Sequence, residues 1–122
     1  MEKQHREPLR FVIVGSGGIG QVHARNILDS EQTVLAAVCD VDRQLVHEVA
    51  DRHGCDSFTD WATMFERTRP DACIVATHMH HVAPAKSAFE RGIHTLVVKP
   101  LAEQVRDAFE MIRAYQVHRE RH

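Results

Sequence analysis

Residues 9–20 read LRFVIVGSGGIG, an apolar run from Leu9 to Val14 that stops abruptly at a segment with four glycines in six positions. A short apolar run bounded by glycine predicts a buried β-strand, and Ile19, Val22, Ile27 and Leu28 return at spacings that predict a helix directly after it, closed by Asp29 and Ser30. The same pattern repeats outward. Val34–Cys39 (VLAAVC) predicts a second buried strand, and Leu45, Val46, Val49 and Ala50 mark one stripe of a helix stopped by Gly54. Cys55–Phe58 is a short, weak strand, followed by a helix capped by Asp60 through Trp61, Met64 and Phe65 that ends before Pro70. Ala72–Ala76 and Thr95–Val98 predict two more strands, separated by a helix over 82–91 with Gly92 past its end. A last helix begins at about Glu103, with Val105, Ala108, Phe109, Ile112 and Tyr115 at helical spacing.

Strand and helix alternate five times, and strands apolar throughout belong in a parallel sheet covered on both faces. Right-handed crossovers with one reversal of direction predict a doubly wound α/β sheet in the order 3-2-1-4-5, a Rossmann-like fold. The domain is expected over 9–122, after a polar tail at 1–8. In its 122 residues, 43% hydrophobic and 26% charged, the chain has enough apolar material for one core and too much for disorder. Fifteen basic residues against seventeen acidic ones leave a net charge of −2 and no positive stripe, which argues against a nucleic-acid partner. The longest strictly apolar run, Val34–Cys39, is far shorter than the ~20 residues a membrane span needs, and residues 1–8 lack the apolar core of a signal peptide. Cys39, Cys55 and Cys73 form no C-x-x-C pair, and two fall inside apolar runs, so reduced thiols and a cytoplasmic location are expected.

Gly15, Gly17 and Gly20 fit G-x-G-x-x-G between a strand and a helix, the context in which that motif has a mechanism. Gly15 permits the tight turn, Gly17 lets a phosphate reach the backbone, and Gly20 lets helix and strand pack closely. The turn as a whole, with Ser16, Gly18 and Ile19, is expected to hold a pyrophosphate on free N–H groups at a helix N-terminus. Asp40 ends the second strand twenty residues after Gly20, where its carboxylate would accept the ribose hydroxyls of an adenosine, while Asp42 caps the next helix. A 2′-phosphate 4 Å from that carboxylate would cost about 4 kcal/mol per charge pair at an effective dielectric of 20. Arg43 offsets part of this, so NAD is the expected cofactor, with NADP the alternative.

Residues 72–102 carry further motifs: Ala76-Thr77 with His81 after the fourth strand, Glu90, Gly92 and His94 around the next helix end, and Lys99-Pro100-Leu101-Ala102 after the fifth strand. With the glycine turn, they resemble the glucose–fructose oxidoreductase / inositol dehydrogenase / MocA family over nearly the whole chain. The resemblance implies an NAD(P)-dependent oxidoreductase acting on a sugar, polyol or related carbonyl compound. It also implies that Ala76, Thr77 and the turn after them line the nicotinamide ribose, and that Lys99 and Pro100 form a sharp turn directing the lysine to the nicotinamide. A fixed ammonium there would stabilise the negative charge that hydride transfer develops on oxygen. The family's glutamate before Lys-Pro is Val98 here, and the turn after Thr77 is one residue short and lacks the usual proline. Either His80 or His81 therefore takes the family histidine's place.

His78, His80 and His81 fall at the carboxyl end of the fourth strand, where α/β sheets bind ligands. Adjacent histidines in a short turn tend to point apart and no cysteine or acid is close in sequence, so no metal site is expected. An imidazole beside the nicotinamide, with His80 or His81 as general acid, is the stronger reading. His23, His47, His53 and His118 are expected on helix surfaces. The family's second, substrate-binding domain has no counterpart in these residues, which leaves a missing domain or self-association along an open sheet edge as the expected partner. The alternative to an enzyme is a stand-alone NAD-binding regulatory module.

Overall fold

The computed structural model describes residues 7–77, 82–98 and 112–114. Its central strand, β1 (Leu9–Val14), is followed by α1 (Gly18–Leu28), β2 (Thr33–Cys39), α2 (Arg43–His53), β3 (Asp56–Phe58), α3 (Trp61–Thr68), β4 (Ala72–Val75), α4 (Val82–Glu90) and β5 (His94–Val97). All pairings are parallel and the strand order is β3-β2-β1-β4-β5, the doubly wound arrangement expected from the sequence. The chain reverses direction between β1 and β4, so a crevice opens where the ends of those two strands diverge.

Strand alternation divides the core in two. Val12, Val14, Cys39, Cys73 and Val75 pack on the face covered by α3 and α4, with Met64, Phe65, Ala85 and Ala88. Ile13, Leu35, Val38 and Ile74 pack on the other face, against Ala24 and Ile27 of α1 and Val46, Val49 and Ala50 of α2. The β1–β2 register shifts between Phe11 and Val12, which pair with Leu35 and Ala37, so Ala36 is the extra residue of a bulge.

Three expectations change. The contact face of α1 is Gly20, Ala24 and Ile27, whereas Ile19, Val22 and Leu28 are about half exposed. The packing is closest at Gly20, where a Cβ would overlap the Gly15 carbonyl oxygen, and of the expected stripe only Ile27 stays on the contact face. Among the described residues β5 alternates exposed and half-buried positions, with Leu96 at 54% exposure, as an edge strand does. His53 is half buried rather than superficial, and its Nε2 is enclosed without a hydrogen-bond partner among the described residues. Of the last expected helix only 112–114 are described; they are helical, with Ala114 buried and Ile112 exposed. His118 lies outside the described residues.

Candidate functional site

The site is built on the first crossover. β1 delivers Gly15 with its amide donating to the Cys39 carbonyl at 2.7 Å, and Gly15 adopts φ +107°, a left-handed conformation that L side chains resist. A side chain is excluded there for a second reason: a Cβ would stand 2.7 Å from the Ala76 carbonyl carbon and 2.8 Å from the Thr77 amide nitrogen. The glycine turn and the end of β4 thus meet at the reversal point of the sheet. Gly20 is excluded from any larger residue by the Gly15 carbonyl, while Gly17 and Gly18 face open space, with nothing within 4 Å of a Cβ at either.

Gly17 is the N-cap of α1, in extended conformation with no side-chain cap, and the first turn carries no acidic residue. The leading N–H groups of α1 and its positive dipole end therefore face a space that a backbone without side chains leaves clear. Asp40, half buried at the end of β2, reaches across to this turn: its Oδ2 accepts from the Ser16 amide at 2.8 Å and its Oδ1 from the Asp42 amide at 3.0 Å. Asp42, as expected, caps α2 by accepting from the Leu45 amide at 3.1 Å. Each Asp40 oxygen keeps a lone pair for a further donor. Arg43, the first residue of α2, is exposed nearby in sequence.

Ser16 is buried, and its hydroxyl donates to the Cys39 carbonyl at 3.4 Å. Its carbonyl accepts from the Gln21 side chain, which is in turn held by Arg52 of α2. Sequence reasoning missed Gln21 and Arg52. Gln21 sits one residue past the glycine motif, a position where a long amide reaches back over the helix start; nothing in the sequence marks Arg52, which a different helix supplies. Thr77 Oγ1 is buried without a hydrogen-bond partner among the described residues, at the spot where the glycine turn touches β4. Ile19 is exposed in the first turn of α1. His78, His80, His81, Lys99 and Pro100 lie outside the described residues.

Burial pushes the Cys39 thiol up to about 12, with Asp40 and Asp60 adding to it, and pushes Cys55 up to about 11. Cys73 is raised too, chiefly by burial. All three cysteines are free, and thiols held this far from ionisation are poor nucleophiles. A recess of about 500 Å³ lined by Phe65, Glu66, Arg69, Pro70, Arg91 and Ile93 lies at the amino ends of β4 and β5, opposite the glycine turn.

A dinucleotide fits the residues at the crevice. The uncapped helix start suits a diphosphate, the side-chain-free face of Gly17 and Gly18 gives it room, Asp40 suits ribose hydroxyls, and the Thr77 hydroxyl, without a partner among the described residues, suits a polar ligand group. Bound there, a nicotinamide dinucleotide would supply or accept a hydride.

Comparison with known proteins agrees. The chain is 33% identical over 109 residues to 2,7-anhydro-N-acetylneuraminate hydratase of Mediterraneibacter gnavus, covering 88% of this chain and 29% of the relative. It is 30% identical over 110 residues to inositol 2-dehydrogenase of Rubrobacter xylanophilus, covering 88% and 32% respectively. Among solved structures, the WlbA dehydrogenase of Chromobacterium violaceum in complex with NADH and UDP-GlcNAcA superposes with a TM-score of 0.88 at 25% identity, covering 98% of this chain and 35% of that one. The chain thus spans about a third of the length of these proteins. Residues 9–121 match the family model described as oxidoreductase family, NAD-binding Rossmann fold, and the chain belongs to that family, the one named for glucose–fructose oxidoreductase, inositol dehydrogenase and MocA.

Proposed function

We propose that this chain is the cofactor-binding part of an oxidoreductase that moves hydride between a nicotinamide dinucleotide and a sugar, polyol or related carbonyl compound. The observation that carries the reading is the α1 N-terminus, left without a side-chain cap and faced by glycines that present no Cβ, with the Asp40 carboxylate beside it. Gly15, Ser16, Gly17, Gly18, Ile19 and Gly20 hold the diphosphate, Asp40 the adenosine ribose, and Ala76, Thr77 and His78 the nicotinamide ribose. NAD is preferred to NADP because a 2′-phosphate would meet the Asp40 carboxylate, a repulsion that Arg43 only partly offsets. Lys99, set by Pro100, stabilises the negative charge developing on the substrate oxygen, and His80 or His81 moves the proton.

Substrate selection is assigned to a second domain, in the same chain or a separate one, in keeping with relatives about three times as long. A reducing, cytoplasmic setting suits the three free thiols, and no helix among the described residues is long and apolar enough to cross a membrane. Titration of this chain with NADH, followed by fluorescence, tests the reading. Saturable binding at micromolar to millimolar NADH, with NADPH at least about tenfold weaker, is expected; no binding of either would overturn it.

A second reading, hydration of a sugar-type substrate, is favoured by the identity to the Mediterraneibacter gnavus hydratase. The two separate by product analysis of the chain together with its substrate domain. Net change in NADH absorbance supports hydride transfer to product, and turnover at constant absorbance supports hydration. Binding without any turnover would instead favour a regulatory module.

A further inference from the structure

Two peptide planes of the glycine turn are gripped by side chains from outside it. The Ser16 amide, in the Gly15–Ser16 peptide, donates to Asp40 Oδ2 at 2.8 Å. The Ser16 carbonyl, in the Ser16–Gly17 peptide, accepts from Gln21 Nε2 at 3.0 Å. Gln21 is itself oriented, because Arg52 Nη1 donates to its Oε1 at 3.0 Å, which settles which end of the amide faces the turn. A trans peptide is planar with its C=O and N–H on opposite sides, so fixing the Ser16 carbonyl also fixes the direction of the Gly17 N–H. That control is needed at this place. Gly15 and Gly17 flank Ser16, and glycine backbones rotate freely unless something outside them intervenes.

We infer that Gln21 is a positioning residue for diphosphate binding, holding the Gly17 N–H toward the anion, and that Arg52 acts through it by orienting its amide. The inference rests on the dinucleotide reading and adds to it two residues, one of them from α2. It makes preorganisation of the turn a property of the α1–α2 contact and not of the glycines alone. Arg52 need not touch the ligand.

ADP carries the diphosphate and adenosine does not, so the two ligands separate this role from general folding. Binding of each to the full chain is measured by calorimetry or NMR titration for Gln21→Met, Arg52→Met, Arg52→Lys and the double variant Gln21→Met/Arg52→Met. Loss of one neutral hydrogen bond predicts about fivefold weaker ADP binding for Gln21→Met. Adenosine binding and the unfolding midpoint should barely move. Arg52→Met should weaken ADP about threefold alone and not at all in the Gln21→Met background, while Arg52→Lys, which still donates to Oε1, restores it. Arg52 is exposed, so its variants keep the test open even if Gln21→Met folds poorly.

An unchanged ratio of ADP to adenosine affinity in Gln21→Met overturns the inference. So does an Arg52→Met effect of equal size in both backgrounds, which would mean that the guanidinium charge acts through space. If the unmodified chain binds no ADP, the dinucleotide reading itself falls, and this inference with it.

Discussion

The start of α1 and the starts of α2 and α3 solve the same chemical problem in opposite ways. Each leaves backbone N–H groups without a helical partner. α2 and α3 each satisfy one of theirs with a side chain: Asp42 accepts from the Leu45 amide, and Asp60 accepts from the Thr63 amide at 3.1 Å and the Thr63 hydroxyl at 2.6 Å. α1 has Gly17 as its N-cap, with no side chain to offer. The proposed function gives that open helix end to the diphosphate, and the capped starts of α2 and α3 are the contrast against which it can be tested.

The sharpest way to break this contrast is to put a methyl group at the two glycines that bracket the α1 start. Gly20→Ala drives a Cβ into the Gly15 carbonyl and should destabilise the fold by about 3 kcal/mol, while also lifting α1 off β1 and abolishing NADH binding. Gly17→Ala meets nothing, so urea unfolding should be nearly unchanged while NADH affinity falls. Equal stability losses in the two variants would refute the packing role of Gly20.

Removing a cap from the completed helices comes next. Asp60→Ala should cost about 1 kcal/mol at neutral pH. The Thr63 hydroxyl and then its amide hold the Asp60 carboxyl below its ordinary value of 3.8. A carboxyl whose folded-state pKa is depressed contributes stability above its unfolded value and loses it as pH falls through the folded one. The difference between wild type and Asp60→Ala should therefore be constant above about pH 5 and shrink toward zero in stronger acid. Thermal unfolding across pH 2–7 checks this, and a gap that persists at the acid end would contradict it.

Gly17→Asp would convert α1 into a helix of the α2 type. The Gly17 backbone already has the extended conformation of an N-cap and room for the side chain, so stability should rise by about 0.5 kcal/mol. NADH binding should disappear, because the new carboxylate takes the position and the charge of the diphosphate. Retained binding would show that the diphosphate lies elsewhere.

The other end of α2 yields the smallest effect. His53, in its last turn, would ordinarily gain from protonation against the helix dipole. Desolvation dominates instead, helped by Arg52 and Arg25, and lowers its pKa below 6.5. The unfolded chain then takes up the proton first, so stability should decline as pH drops below 6.5, down to the folded-state value. His53→Gln should flatten that part of the profile; an identical slope would mean that another histidine carries it.

Much of the fold was legible because its signals are local. The apolar runs ending at Val14 and Cys39, the breaks at Gly54 and Pro70, and the caps at Asp42 and Asp60 each depend on a few neighbouring residues. The contact face of α1 was legible only at Ile27. Hydrophobicity pointed also to Ile19, Val22 and Leu28, but the helix meets the strand through Gly20 and Ala24, and how closely the two approach is set only in the assembled crossover. The exposure of Leu96 was hidden too: the expected order already put its strand at the edge, but which residues of an edge strand are covered depends on what packs against it.

By itself the sequence determined the order of elements, the parallel sheet with its single reversal, and the glycine turn with an acid at the end of the second strand, because periodicity, chirality and turn chemistry are written residue by residue. Tertiary structure alone decided that Asp40 ties back to Ser16, that Gly15 abuts Ala76 and Thr77, and that Arg52 reaches the turn through Gln21. Those contacts join residues from different elements, and their partners come within reach only when the sheet has closed around β1.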